Sequence, residues 1–91
     1  MKHNSYFEGR VQSLALSEAA GPATAGVIEP GSYEFSTSSE ERMSIVAGRV
    51  RVKLPGGEWR EYEKGEGFVV PPNVKFQMAA EVDAAYVCRY R

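Results

Sequence analysis

The sequence predicts an all-β domain, a sandwich or barrel of short antiparallel strands. Short apolar or alternating segments recur along the chain, punctuated by Gly, Pro and Asn. Residues 49–54, Arg-Val-Arg-Val-Lys-Leu, alternate charge with hydrocarbon at the period of a half-buried strand. No stretch carries a helical period beyond a single Ala-rich turn at Glu18–Ala20, which Gly21-Pro22 stops. At 91 residues, 1–91 is one domain, without repeat, linker or low-complexity tract.

Taken in order, residues 1–9 are polar apart from Tyr6-Phe7, and Gly9 marks a turn. Val11, Leu14 and Leu16 form a first strand, residues 17–22 a loop, and Ala23 to Ile28 a second strand. Glu29-Pro30-Gly31 is a turn, with Pro30 fixing φ and Gly31 supplying positive φ. Ser32 to Ser36 alternates, with Tyr33 and Phe35 on one face. A polar crossing leads to the strand Met43 to Ala47, turned by Gly48. The strand at 50–54 follows, and Pro55-Gly56-Gly57 makes a hairpin turn. Trp59 and Tyr62 lie on the return strand, with Trp59 expected in the core or an interface. Phe68 to Val70 is a short buried strand. Pro71-Pro72 cannot sit in a central strand, because neither residue has an N–H. Asn73 suits a left-handed turn. Lys75 to Met78 and Ala85 to Tyr90 complete eight or nine strands.

The totals exclude several function classes. A net charge of −1 with interspersed signs argues against a nucleic-acid binder that relies on a basic field. The lone Cys88 allows neither an internal disulfide nor a thiolate zinc site. The one histidine, His3, lies near the N-terminus, where order is least expected, so no His-rich metal centre forms within one chain. No apolar run suits a membrane span, and the first residues lack the apolar core of a signal peptide. The expected location is cytoplasmic, without a membrane partner.

Two motifs sharpen the fold. Gly65, five residues, Pro71-Pro72-Asn73, two residues and Phe76 resemble the second cupin motif, with Asn73 in place of its Gly and Phe76 in place of its metal-binding His. Glu41, six residues and Gly48 match the second half of the first cupin motif, whose paired His positions fall near Phe35 and Thr37 or one residue earlier. The resemblance implies a single-domain cupin jelly-roll barrel stripped of its metal ligands.

A closer resemblance covers nearly the whole chain. Tyr6 to Val11, Gly26-Val27-Ile28, Pro30 to Thr37, Leu54-Pro55, Trp59, Tyr62, Val70-Pro71 and Cys88-Arg89-Tyr90 are similar, in order and spacing, to the small cupin-type pyrimidine/purine nucleoside phosphorylases. That implies phosphorolysis of purine or pyrimidine nucleosides to free base and α-D-ribose 1-phosphate. It implies phosphate as co-substrate, no cofactor, and a homodimer. The leading alternative is a non-catalytic cupin that binds a small metabolite; a metal-free sugar isomerase is a third reading.

Such chemistry needs a grip on phosphate, a grip on the ribose and support for the departing base. Arg89 is the first choice for phosphate, through paired hydrogen bonds, against a surface cation on an edge strand. Glu41, at the motif's carboxylate position, can accept from ribose hydroxyls, or is a solvated acid beside Glu40. Ser36 and Thr37 can donate to phosphate or sugar, or satisfy nearby backbone. Tyr6 and Phe7 either stack on a base or plug the barrel end. Cys88 has no partner in sequence that marks it as a nucleophile.

Overall fold

The computed structural model describes residues 1–91 as ten strands and no helix. They are β1 His3–Tyr6, β2 Val11–Glu18, β3 Gly21–Ile28, β4 Gly31–Ser36, β5 Glu41–Ala47, β6 Arg49–Lys53, β7 Arg60–Glu63, β8 Gly67–Val70, β9 Lys75–Ala80 and β10 Ala84–Tyr90. One sheet has the order β1-β2-β3-β10-β5-β8 and the facing sheet β4-β9-β6-β7. All pairings are antiparallel. Eight of these strands, four in each sheet, make a jelly roll. The hairpin β1–β2 extends the first sheet at its β3 edge.

Alternation assigns the faces. Val50 and Val52 are buried, while Arg49, Arg51 and Lys53 stay in water. The arginines there pair weakly, Arg49 with Glu61 at 3.8 Å and Arg51 with Glu81 at 3.7 Å. Exposed pairs of this kind contribute about 0–1 kcal/mol. Burial of Val11, Ile28, Ile45, Val50, Val52, Val70 and Met78 between the sheets stabilises the fold far more, by roughly 1.5–3 kcal/mol for each such side chain.

Three local expectations differ from the structure. Residues 17–22 are not a loop: β2 and β3 run to a tight turn at Ala19-Ala20, because full cross-strand pairing from Val11↔Ile28 to Glu18↔Gly21 outweighs a helical turn. The N-terminal segment is ordered as β1, where His3 Nε2 lies 2.8 Å from Gln12 Oε1. Trp59 precedes β7 and is half-exposed beneath the Arg51 guanidinium, 5.7 Å from its ring centroid, rather than in the core. Asn73 does adopt the left-handed conformation, with φ of 60°.

Gly48 turns β5 into β6 at φ 69°, and a Cβ there would overlap the Asp83 carbonyl oxygen and meet the Ala84 Cα at 3.0 Å. Gly56 has a similar φ of 72° with open space around it. Gly56→Ala should therefore cost only the left-handed strain, about 1 kcal/mol. Gly48→Ala should cost about 2 kcal/mol or more, since backbone atoms must move as well. Equal midpoints for the two variants in urea unfolding would contradict this packing.

Candidate active site

A cavity of about 250 Å³ opens between the sheets. That is just below the usual range for small-molecule pockets, about 300–1,000 Å³. It is lined at one end by Phe35, Phe76 and Met78 of the small sheet and Met43, Tyr86 and Cys88 of the large one. Glu41, Tyr90, Ser13, Glu34 and Ser36 add polar atoms, and Tyr6 and Phe7 reach in from the β1–β2 hairpin.

Register explains where the space comes from. Across the inner face of the large sheet, Ser13 pairs with Gly26, Gly26 with Tyr86 and Tyr86 with Ile45. Gly26 has no side chain, and a Cβ there would overlap the Tyr86 ring. The ring can lie over β3 only because that position is empty. One row along, Thr24 pairs with Cys88, Cys88 with Met43 and Met43 with Phe68. In the next row Tyr90 pairs with Glu41, and Glu41 with Val70. A register shift between β10 and β5 at Ala85/Tyr86 separates these rows from the first residues of β10. Such irregularities re-aim side chains beside functional sites.

These groups form one linked set. The Cys88 thiol donates to Glu41 Oε1 at 3.5 Å. Tyr90 and Thr24 share a hydrogen bond of 3.1 Å between their hydroxyls. Burial pushes the Glu41 carboxyl above its ordinary 4.5, and the thiol hydrogen bond only partly opposes it. Burial also pushes Cys88 up to about 12, with the Glu41 charge adding to it. Tyr86 goes to about 12, first through burial, then through the negative forms of Cys88, Tyr6 and Glu41. Tyr90 is raised too, chiefly by burial, with the Thr24 hydrogen bond acting against it. At neutral pH the thiol and the Tyr86 and Tyr90 phenols thus keep their protons beside the Glu41 carboxyl. A thiol so far from ionising is a poor nucleophile.

The residues expected at the site divide. Glu41 and Ser36 line the cavity. Thr37 does not: it is buried, its hydroxyl donates to the Pro71 carbonyl at 2.7 Å, and it accepts from the Val74 N–H at 3.1 Å. It holds the Pro71–Val74 loop, which is the backbone-satisfying alternative. Arg89 is not in the cavity either. Alternation on β10 turns Cys88 inward and Arg89 outward, where its guanidinium donates to Glu18 at 2.9 and 3.4 Å. This placement does not support a phosphate role. The same period of two, visible in residues 84–90, would have separated Arg89 from its neighbours and marked Tyr86 and Tyr90 as inward-facing. Ser13 and Thr24 carried no such signal, because only the partner strands show what their hydroxyls face. Phe76, in the position of a metal-binding His, is a wall of the cavity. No three His, Cys, Asp or Glu side chains converge to hold a metal ion.

A family model described as pyrimidine/purine nucleoside phosphorylase matches residues 1–90. The chain belongs to this family. A relative from Pseudomonas aeruginosa that carries the same name is 54% identical over 91 residues, 99% of this chain and 98% of that protein. One from Pseudomonas putida, again so named, is 49% identical over 97% of this chain and 95% of that protein. A crystal structure of a protein of unknown function from Vibrio parahaemolyticus superposes with a TM-score of 0.95 at 40% identity, covering 99% of this chain and 97% of that one. An RmlC-like cupin from Shewanella frigidimarina matches at a TM-score of 0.72 and 15% identity, over 92% of this chain and 78% of that one. The fold is therefore the cupin jelly roll, and the family is one of enzymes.

Glu41 gives a stability test with a fixed sign. A carboxyl whose pKa is raised on folding binds its proton more tightly in the folded state. Wild-type stability should therefore fall as pH rises through the window that opens near the ordinary value of 4.5. Glu41→Gln should be more stable than wild type at pH 7, and the gain should vanish below pH 4 (about the unfolded carboxyl value). Urea midpoints at several pH values check this; a pH-independent difference would contradict a desolvated carboxylate.

Proposed function

We propose that the chain catalyses phosphorolysis of purine and pyrimidine nucleosides, giving free base and α-D-ribose 1-phosphate. The observation that carries this reading is the pairing of an aromatic-walled cavity with one desolvated carboxylate, in a chain that matches the family over almost its whole length. A phosphate oxygen attacks the anomeric carbon of the ribose. The N-glycosidic bond breaks, and its electron pair leaves with the base. Positive charge grows on the ribose at that moment, as in other glycosyl transfers.

Glu41 is the group for that charge. Its carboxylate accepts from ribose hydroxyls and stabilises the oxocarbenium-like ribose in a low-dielectric site. The Cys88 thiol, bonded to Oε1, holds the carboxylate in place. The Tyr86 phenol, protonated through neutral pH, donates toward the departing base. No lysine or arginine lines the cavity, so phosphate sits at the rim. There Ser36 lines the opening, and Lys75 pairs opposite it on β9. The reaction in this reading uses no metal, and its partners are nucleoside and phosphate. A second copy of the chain is part of the reading: Leu14, Leu16 and Val27 leave an apolar stripe exposed on the outer face of the large sheet.

Purified protein incubated with uridine, inosine or adenosine should release base only when phosphate is present. Glu41→Gln should lower kcat/KM by about 10²–10³-fold, as removal of a transition-state partner does elsewhere. Arg89→Ala should leave the KM for phosphate within about twofold and cost at most about 1 kcal/mol of stability, since it loses only an exposed ion pair. A tenfold rise in the phosphate KM of Arg89→Ala would return that residue to the site. The absence of a cation from the cavity lining favours a second reading, a cupin that binds nucleosides without turnover. It would show as thermal stabilisation by nucleoside with no base released under any phosphate concentration.

A further inference from the structure

The β1–β2 turn is built against local preference. Phe7 and Glu8 have φ of 53° and 59°, followed by Gly9 at 85°. Two successive left-handed residues are what Asn-Gly or Gly-Gly supply without strain, and a bulky aromatic is among the poorest choices. The turn is nonetheless closed by Gly9 N–H to the Tyr6 carbonyl at 3.1 Å and Arg10 N–H to the Phe7 carbonyl at 3.2 Å. Gln12 Nε2 donates to the Gly9 carbonyl at 2.9 Å, and Arg10 Nη2 donates to the Pro30 carbonyl at 3.1 Å. The Arg10 side chain fastens the hairpin to the segment that leads into β4, and the other bonds brace the turn itself.

The conformation delivers one thing, the Phe7 ring. It lies 5.0 Å from the Tyr33 ring and 5.4 Å, edge-on, from Phe35. Phe35 in turn stacks on Phe76 at 5.6 Å and 28°. A ring that merely plugged the barrel end would be buried. Phe7 is 40% exposed and also lines the cavity, so part of its surface is backed by aromatics and part is free.

We propose that Phe7 is the stacking wall for the nucleobase, held over the cavity by this left-handed turn, and that it determines how firmly bases of different size are gripped. The proposal deepens the nucleoside reading and rests on it. Every base presents a π-face, so a stacking wall accepts purines and pyrimidines alike. It favours the larger ring system only through overlap. Ribose and phosphate are then recognised at Glu41 and the rim, away from the base.

Steady-state kinetics of Phe7→Leu and Phe7→Trp with adenosine and uridine test this, at saturating phosphate. Phe7→Leu keeps apolar packing and removes the π-face. The KM for adenosine should rise about 5- to 50-fold, and that for uridine by less, from the usual worth of one stacked base. The KM for phosphate should not move, and Phe7→Trp should restore the adenosine value. Phe7→Gly adds a fold-independent control: it relieves the turn, so it should fold by circular dichroism while binding adenosine as poorly as Phe7→Leu. Unchanged adenosine KM in Phe7→Leu, or an equal loss for phosphate, would overturn the proposal. Equilibrium dialysis with adenosine separates it from the phosphorylase reading. If wild type releases no base yet binds adenosine, and Phe7→Leu weakens that binding, the stacking wall stands and phosphorolysis falls. If wild type neither binds nor turns over adenosine, both fall.

Discussion

The empty position at Gly26 is what the rest of the site depends on. A β-sandwich of this size fills its interior, and most of this one is filled by Val, Ile and Met between the sheets. At Gly26 the large sheet presents only backbone, and Tyr86 occupies the space. Ser13 beside it is small as well. The Tyr86 ring therefore lies over β3 instead of filling the space between the sheets. Facing it are the larger rings of Phe35 and Phe76, which line the void without closing it. A single side chain added at Gly26 would push Tyr86 toward those rings and into the cavity.

The electrostatics follow from the same geometry. Because the cavity is partly closed, burial raises the pKa of the carboxyl, the thiol and both phenols together. An exposed cluster of this composition would titrate ordinarily. Here the thiol and the phenols around Glu41 keep their protons near neutrality. In the proposed reaction, protonated donors of that kind serve the leaving base while the Glu41 carboxylate serves the ribose.

Much of this is legible in the sequence. The Val50, Val52 alternation, the turn glycines and Asn73 mark most of the strands, because each states its own geometry locally. The spacing of the two cupin motifs leads to Glu41 and Ser36, and both line the cavity. Arg89 lies elsewhere for a plain reason. Its chemistry suits phosphate, but chemistry does not fix a face, and the alternation of β10 does. Thr37 is close in sequence to the site and is taken instead by the backbone of the Pro71–Val74 loop. Tyr86 matters because Gly26 lies across from it, 60 residues away along the chain (86 minus 26), and no local pattern reveals that pairing. The strand at His3–Tyr6 is hidden because polar edge strands look like any polar terminus.

The position of β10 has a consequence for how the molecule is made. It is the tenth strand in sequence, yet it sits inside the large sheet with β3 on one side and β5 on the other. It alone pairs the facing edges of β3 and β5, so without it the large sheet would be in two parts. Tyr86, Cys88 and Tyr90 all arrive with it. The partners it joins lie far back in the chain, so closure is governed by non-local pairing and belongs among the slower folding topologies. A nascent chain that still lacks those residues lacks Tyr86, Cys88 and Tyr90 of the cavity lining. Both open edges of that shorter chain are closed by one strand in the finished protein.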